Sequence, residues 1–140
     1  MNTFLRTEVF DVWLSALKDK IGRARITHRI RSAEHGNFGD CEPVGDGVFE
    51  MRVHVGPGYR VYYTRRGQVI YLLLLGGDKS TQKRDIKRAI EMARELDVPI
   101  WFDFAHTWGR SRRHPDELRY LTPYLRPFTA LPGESRREGW

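Results

Sequence analysis

Cysteine is scarce in this 140-residue chain, in which Cys41 is the one cysteine. Without a second thiol, no disulfide can form within the chain and no zinc site can be built mainly from thiolates. The spacing of His28, His35, His106 and His114 is not typical of metal ligands. We therefore expect neither a metal nor any other cofactor, and a single free thiol fits a reducing compartment such as the cytoplasm.

Long apolar runs are also missing. The longest, Val69–Leu75, is far shorter than the roughly 18 residues that a membrane-spanning helix needs, so we expect no membrane partner. The N-terminal stretch lacks the basic-then-apolar pattern of a secretory signal, which again favours a cytoplasmic location. The sequence contains no P-loop, no HExxH zinc motif and no serine–histidine–aspartate signature.

Basic residues, in contrast, are in excess. Lysine and arginine number 24 against 18 aspartates and glutamates, and the pI is about 9.8. This balance indicates a polyanionic or acidic partner without choosing between nucleic acid, an anionic membrane and an acidic protein. Composition shifts at Pro99, because five of the seven prolines and many aromatic residues lie within residues 99–140. We predict a main domain at 1–98 and a proline- and aromatic-rich extension at 99–140.

Hydrophobic periodicity predicts the secondary structure of the main domain. Apolar residues at helical spacing from Phe10 to Ile21 predict one helix, and a second is expected from Arg23 to Glu34. The segments VFEMRVHV, YRVYYTRRG and VIYLLLL then predict three antiparallel strands, of which the last is apolar on both faces and therefore central. After the pair Gly76-Gly77, another apolar stripe predicts a helix that ends before Pro99.

Three stretches resemble a known family: FDVWLSALKD, FEMRVHVGPGYRVYY and LLLLGGDKSTQKRDIKRA. In this order, the chain from Thr3 to Asp97 resembles the RelE/ParE superfamily of bacterial toxin–antitoxin modules, and most of all its HigB-like branch of addiction-module killer proteins. The resemblance implies an α+β fold, with an N-terminal helical hairpin packed on a small curved antiparallel sheet. A C-terminal helix completes the expected RelE-like domain, and the irregular aromatic-rich tail expected after Pro99 has no counterpart in that family.

The same resemblance implies a function. The expected activity is that of a type II toxin, a ribosome-dependent mRNA endoribonuclease that inhibits translation. The implied partners are the ribosome and mRNA, and a cognate HigA-like antitoxin with a helix-turn-helix that alone contacts operator DNA. An alternative stays open, because few residues are convincing proton-transfer groups: a protein of this fold that only binds, as a gyrase poison or as an antitoxin-bound corepressor.

Metal-independent RNA cleavage needs cations that stabilise the charged phosphorane. Arg52 lies on the polar face of a predicted strand, where it binds phosphate or pairs with Glu50. Arg60 lies on the next strand, within the GYRVY motif that carries an arginine in the family, and it shares that face if the turn keeps the register. Lys79 follows the double glycine and is a general base, a phosphate anchor or an ordinary surface lysine.

Cleavage also needs a proton acceptor and a proton donor. His54 shares the predicted face of Arg52, and Tyr62 is predicted on the open face, where it could stack on a base or donate a proton. Tyr63 is predicted in the core. The expected RNA-binding residues near the site are Arg65, Gln82, Lys83 and Arg84.

Overall fold

The computed structural model describes residues 1–96 and 125–128. This part of the chain forms three α-helices, one 3-10 turn and six strands. Most of the predicted extension 99–140 lies outside the described residues. The elements are β1 (Thr3–Arg6), α1 (Glu8–Ala16), α2 (Lys20–Glu34), β2 (Cys41–Gly45), β3 (Val48–Val53), β4 (Tyr59–Arg66), β5 (Ile70–Asp78), the 3-10 turn (Lys79–Thr81), α3 (Gln82–Glu95) and β6 (Arg126–Pro127).

The strands form one mixed sheet in the order β2-β3-β4-β5-β1-β6. Strands β2 to β5 are an antiparallel meander, whereas β1 pairs in parallel with β5, from Thr3 opposite Ile70 to Arg6 opposite Leu73. The prediction of a small antiparallel sheet under a helical hairpin was therefore wrong. Local patterns revealed the hairpin-linked strands, but they could not reveal which partner a four-residue strand finds across more than sixty residues of chain.

Both faces of the sheet are covered. Helices α1 and α2 contribute Phe10, Leu14, Ile26 and Ile30 to the core on one face. Helix α3 packs Ala89 and Ala93 against the other face. The central strand is buried on both faces as predicted, because Tyr71 and Leu73 lie in the core under α1 and α2, whereas Leu72, Leu74 and Leu75 lie in the core under α3. The sequence predicted an open sheet face that carries Tyr62. In the described part of the chain, helices cover that face as well as the other.

The two N-terminal helices divide earlier than predicted. Helix α1 ends at Ala16, and α2 begins at Lys20 because the Asp19 side chain caps it, accepting a hydrogen bond of 2.9 Å from the Gly22 amide. Ile21 was expected in the apolar stripe of the first helix, but it lies in the first turn of α2 with 66% of its surface exposed. The sequence signal for this helix start was Asp19, a residue type that favours the N-cap position, and it was missed.

The double glycine lies inside β5 and does not end it. A Cβ added to Gly76 would run into the indole ring of Trp13, and one added to Gly77 would run into the Asp85 carboxylate. Glycine is therefore required here by close packing from α1 on one face and α3 on the other. The strand ends at Asp78, whose side chain caps the 3-10 turn by accepting from the Ser80 amide.

A short piece of the C-terminal extension completes the sheet. Leu125 and Phe128 are buried, and the Phe128 amide donates to the Phe4 carbonyl at 2.8 Å. The ring of Phe128 also contacts Phe10, with ring centroids 6.4 Å apart. Residues 125–128 thus cover the outer edge of β1.

Candidate functional site

Arg52 and Arg60 are directly opposite each other on β3 and β4. The turn at Gly56–Gly58 keeps the register, so the two side chains share one face of the sheet. Both guanidinium groups approach the same carboxylate: Nε of Arg52 lies 3.0 Å and Nε of Arg60 lies 3.7 Å from Oε1 of Glu50. The structure therefore brings together two of the cations selected from the sequence.

Glu50 organises this group, and sequence analysis gave it no role beyond pairing with Arg52. Its side chain is fully buried. It accepts hydrogen bonds from the Tyr62 hydroxyl at 3.0 Å and from Nε2 of Gln82 at 2.9 Å. We call Glu50, Arg52, Arg60, Tyr62 and Gln82 the Glu50 cluster. Its signal in the sequence was a glutamate in an otherwise apolar strand, flanked by Phe49 and Met51.

The Glu50 carboxylate remains ionised although it is buried. Burial alone raises the pKa of a carboxyl, because a charge in a low-dielectric environment loses its hydration. Here the hydrogen bonds from Gln82, Arg52 and Tyr62, together with the charge of Arg60, outweigh that effect and hold the pKa of Glu50 below its ordinary value. The cluster is therefore a buried carboxylate with compensating cations and donors.

Tyr62 does not occupy the open position that was predicted for it. Its side chain is fully buried under α3, with 0% of its surface exposed. Burial and the adjacent Glu50 charge raise the pKa of its hydroxyl well above the ordinary range. Tyr62 therefore has no exposed ring on which a base could stack, and its hydroxyl is committed to Glu50. Tyr63 is buried on the opposite face, in the core beneath α2.

The two arginines differ in their remaining partners. Arg52 also donates to Oε2 of Glu42 at 2.6 Å, so two carboxylates hold it, and 28% of its side chain is exposed. The Arg60 side chain is 9% exposed. Its Nη1 bonds the carbonyls of Gly58 and Tyr59 at 3.3 and 3.2 Å, but its buried Nε has no hydrogen-bond acceptor among the described residues.

Lys79 lies at the same end of the sheet. Its amide donates to the Gly58 carbonyl at 2.9 Å, which fixes the start of the 3-10 turn beside the β3–β4 turn. A Cβ at Gly58 would lie 3.5 Å from Nη1 of Arg60 and 3.7 Å from Cβ of Lys79. Gly58 thus adjoins both cationic residues, and the Lys79 side chain is exposed. Residues that carry three cations, on β3, β4 and the 3-10 turn after β5, therefore lie at the same end of the sheet.

The predicted RNA-binding residues lie in three different environments. Lys83 and Arg84 lie exposed in the first turn of α3, where residues 79–84 line a surface pocket of about 380 Å³. Gln82 faces inward to Glu50. Arg65 lies at the far end of β4, where it donates to the carbonyls of Gly67 and Gln68 at 2.7 and 2.9 Å. Arg65 therefore stabilises a hairpin away from the cations.

His54 follows β3 directly and is two-thirds exposed. Its Nε2 lies 2.6 Å from Oδ2 of Asp40, an acidic partner that sequence analysis did not select. Across residues 1–96 and 125–128, no group of three or more histidine, cysteine, aspartate or glutamate side chains could hold a metal ion. No helix within the same residues has the length and apolar character that crossing a membrane requires.

The fold and the site define a small protein with a mixed sheet, covered on both faces, that gathers cations around a buried carboxylate. Residues 12–96 match the family described as phage-derived protein Gp49-like, and the chain belongs to this family. A protein of Haemophilus influenzae described as uncharacterized is 51% identical over 92 residues, which cover 66% of this chain and 93% of that relative. The matched family segment contains the entire Glu50 cluster and Lys79.

The resemblance to the HigB-like branch of the RelE/ParE superfamily was wrong, because the matching family is a distinct one. One of the stretches that suggested that branch, LLLLGGDKSTQKRDIKRA, is explained by local packing and by the start of a helical turn. Gly76 and Gly77 are required by the close approach of Trp13 and Asp85, and Asp78 is a cap for the following turn. Such short stretches are determined by packing and by a helix start, and they identify a lineage poorly.

Proposed function

We propose that this protein is the toxin component of a toxin–antitoxin module and acts as a metal-independent endoribonuclease on mRNA at the ribosome. Membership in the Gp49-like phage-derived family supports a role in a toxin–antitoxin module. The observation that supports the activity is the location of Arg52, Arg60 and Lys79 at one end of the sheet. Cations held in fixed positions are what a phosphorane-like transition state requires.

Arg60 is the best prepared of the three cations. Its guanidinium is held by two backbone carbonyls and by Glu50, while its buried Nε lacks an acceptor among the described residues. A pre-positioned guanidinium loses little conformational entropy when it binds an oxyanion. Lys79 supplies an exposed charge beside it, and Arg52, held by Glu42 and Glu50, mainly fixes the local geometry.

Proton transfer falls to His54 and Lys79, because Tyr62 is enclosed. In the proposed reaction, a base takes the 2′-hydroxyl proton and the 2′-oxygen bonds to phosphorus. The bond from phosphorus to the 5′-oxygen breaks, and that oxygen receives a proton from the Lys79 ammonium group. The products are a 2′,3′-cyclic phosphate and a 5′-hydroxyl, and both side chains then exchange their protons with water.

The partners belong to the same proposal. A toxin of this kind is neutralised by a cognate antitoxin, for which we propose a helix-turn-helix protein that alone contacts operator DNA. The chain itself carries a net charge of +6, which suits ribosomal RNA or an acidic antitoxin surface. The cytoplasm is the compartment in which these partners meet.

A second function is favoured by a specific observation. Arg52 is bound by two carboxylates and Tyr62 is buried, so two of the predicted catalytic groups are occupied by the fold itself. A protein that acts only by binding, on gyrase or together with its antitoxin as a corepressor, needs no proton-transfer residues. For such a protein the Glu50 cluster is part of the core, and the exposed Lys79, Lys83 and Arg84 form the contact surface.

Induction without antitoxin separates these functions. Mapping of transcript 5′ ends shortly after induction should reveal new ends clustered within translated codons. Lys79→Ala should abolish them, whereas Lys87→Ala, at an exposed position of α3, should not. DNA damage with intact mRNA would support the gyrase alternative. Growth arrest that persists unchanged in Lys79→Ala would exclude Lys79 from the active site.

A further inference from the structure

The loop before β2 is held rigidly by an arginine of α2. Nη1 of Arg29 donates to the Arg52 carbonyl at 2.5 Å, and its Nη2 donates to the carbonyls of Phe38 and Asp40 at 2.9 and 3.2 Å. A Cβ at Gly39, where φ is +65°, would lie 2.8 Å from the same guanidinium. Arg29 thus fixes the backbone at three points, the carbonyls of Phe38, Asp40 and Arg52.

Asp40 is consequently fixed from two directions. Its carbonyl accepts from Arg29 and also from the Arg52 amide at 2.9 Å. The carboxylate is thereby presented to His54, two residues beyond Arg52, at 2.6 Å. An exposed ion pair by itself contributes only about 0–1 kcal/mol to stability, so this degree of backbone support is more than a surface pair needs. The arrangement instead suits the orientation of an imidazole.

The contact also determines which ring nitrogen is available. The hydrogen bond with His54 lowers the pKa of Asp40, and the charges of Arg52 and Arg29 act in the same direction. An ionised carboxylate only accepts hydrogen bonds, so Nε2 of His54 must carry the hydrogen. The neutral imidazole then has its lone pair on Nδ1. Arg52 and Arg29 are the charged side chains that act on the Asp40 carboxylate of this pair, together with His54 itself.

We propose that Asp40 is a positioning residue that holds His54 in the Nε2–H tautomer, so that Nδ1 of His54 is the general base of the reaction. This inference rests on the proposed function. In the step, Nδ1 takes the proton of the attacking 2′-hydroxyl and the imidazole becomes an imidazolium paired with Asp40. The imidazolium releases its proton to water after the 5′-oxygen has left.

Two measurements on the full-length protein test the proposal. A long-range ¹H–¹⁵N correlation spectrum identifies the protonated ring nitrogen of His54 without any substrate. Wild type should give the Nε2–H form, and Asp40→Asn should give a mixture of tautomers because an amide can donate as well as accept. Asp46→Asn is the matched control, since Asp46 is another exposed aspartate in an ion pair, 2.6 Å from Arg94.

The second measurement is the pH–rate profile of cleavage of a defined mRNA on translating ribosomes. His54→Gln should lower the rate by roughly 10²–10⁴-fold and remove the acid limb of the profile. Asp40→Asn should lower it on the order of tenfold, because the imidazole is then no longer held in the tautomer that leaves Nδ1 free to accept the proton. Asp46→Asn should leave both unchanged.

The outcomes distinguish the two proposals. Cleavage by wild type with unaltered profiles in Asp40→Asn and His54→Gln overturns the inference and leaves the proposed nuclease standing. An Nδ1–H tautomer in wild type also overturns it. Absence of RNA cleavage by wild type overturns the proposed function, and the catalytic role of His54 falls with it.

Discussion

The hydroxyl of Tyr62 donates a hydrogen bond of 3.0 Å to Oε2 of Glu50 inside the sheet face that α3 covers. The two residues are cross-strand partners on β3 and β4. A buried carboxylate must be compensated by donors and cations, and here they come from two strands and a helix. The polar residues that suggested an exposed catalytic face are thus joined into a buried network, at whose edge the exposed cations lie.

Removal of Glu50 should destabilise the fold more than any surface substitution. Glu50→Ala leaves Arg52, Tyr62 and Gln82 without their common acceptor, and breaking a buried ion pair in this way costs about 3–5 kcal/mol. Urea unfolding measures the loss. Glu42→Ala removes the other carboxylate bound to Arg52, but Glu42 is 55% exposed. That control should change the free energy of unfolding by no more than about 0.5 kcal/mol, and equal losses would contradict a central role for Glu50.

Tyr62→Phe tests whether the tyrosine acts in the core or in chemistry. The ring stays buried, and loss of one hydrogen bond to a charged group should cost about 1–3 kcal/mol. Growth arrest on induction should persist, because the hydroxyl does not face the site. Tyr59→Phe provides a matched comparison on the same strand, as its hydroxyl also bonds a carboxylate. Loss of toxicity in Tyr62→Phe, with the protein still folded, would return this hydroxyl to the catalytic groups.

Much of the fold followed from local pattern. The meander of β3, β4 and β5 was predicted because period-two alternation and tight turns are local signals, and β5 showed its central position by being apolar on both faces. The parallel pairing of β1 with β5 was not predicted, because nothing local specifies a distant partner. The packing of α3 on the sheet face that contains Tyr62 was missed for the same reason. The apolar stripe of an amphipathic helix does not indicate which sheet face the helix contacts.

The site was predictable in part. Arg52, Arg60 and Lys79 were found because cations after or within apolar strands are conspicuous. Glu50 was passed over because a strand position of alternating polarity looks solvated until a helix is known to cover it. Asp40 carried no signal at all, since its relation to His54 depends on a loop that Arg29 holds from another element.

Alanine at Gly76 should be strongly destabilising although the backbone is ordinary strand. The added methyl would collide with the Trp13 ring, and overpacking of this kind costs about 1–3 kcal/mol. Trp13→Ala removes the obstacle, so the double variant should lose less than the sum of the two single variants in a thermal or urea unfolding series. Strict additivity would show that the requirement for glycine has another cause.

Stability at alkaline pH should depend on Tyr59. Burial, together with the hydrogen bond of 2.8 Å to Asp19, raises the pKa of Tyr59 from 10.0 to about 12. A raised pKa in the folded state means that the contribution is complete below pH 10 and is lost as the pH rises through about 12. Tyr59→Phe should unfold with less pH dependence than wild type between pH 9 and pH 12. Urea titrations across that interval measure this, and parallel curves would be inconsistent with the Asp19 contact.

Phe128 should anchor the end of the chain to the domain. It is 6% exposed, contacts Phe10 and holds its strand to Phe4 through a backbone hydrogen bond. Phe128→Ala should cost about 3–5 kcal/mol because a cavity remains beside the α1 core. Arg126→Ala is the control, since that side chain is exposed and should change stability little. Removal of residues 99–140 should lower the free energy of unfolding at least as much as Phe128→Ala, because it also uncovers the edge of β1. A truncated chain with wild-type stability would mean that the predicted domain 1–98 is complete without β6.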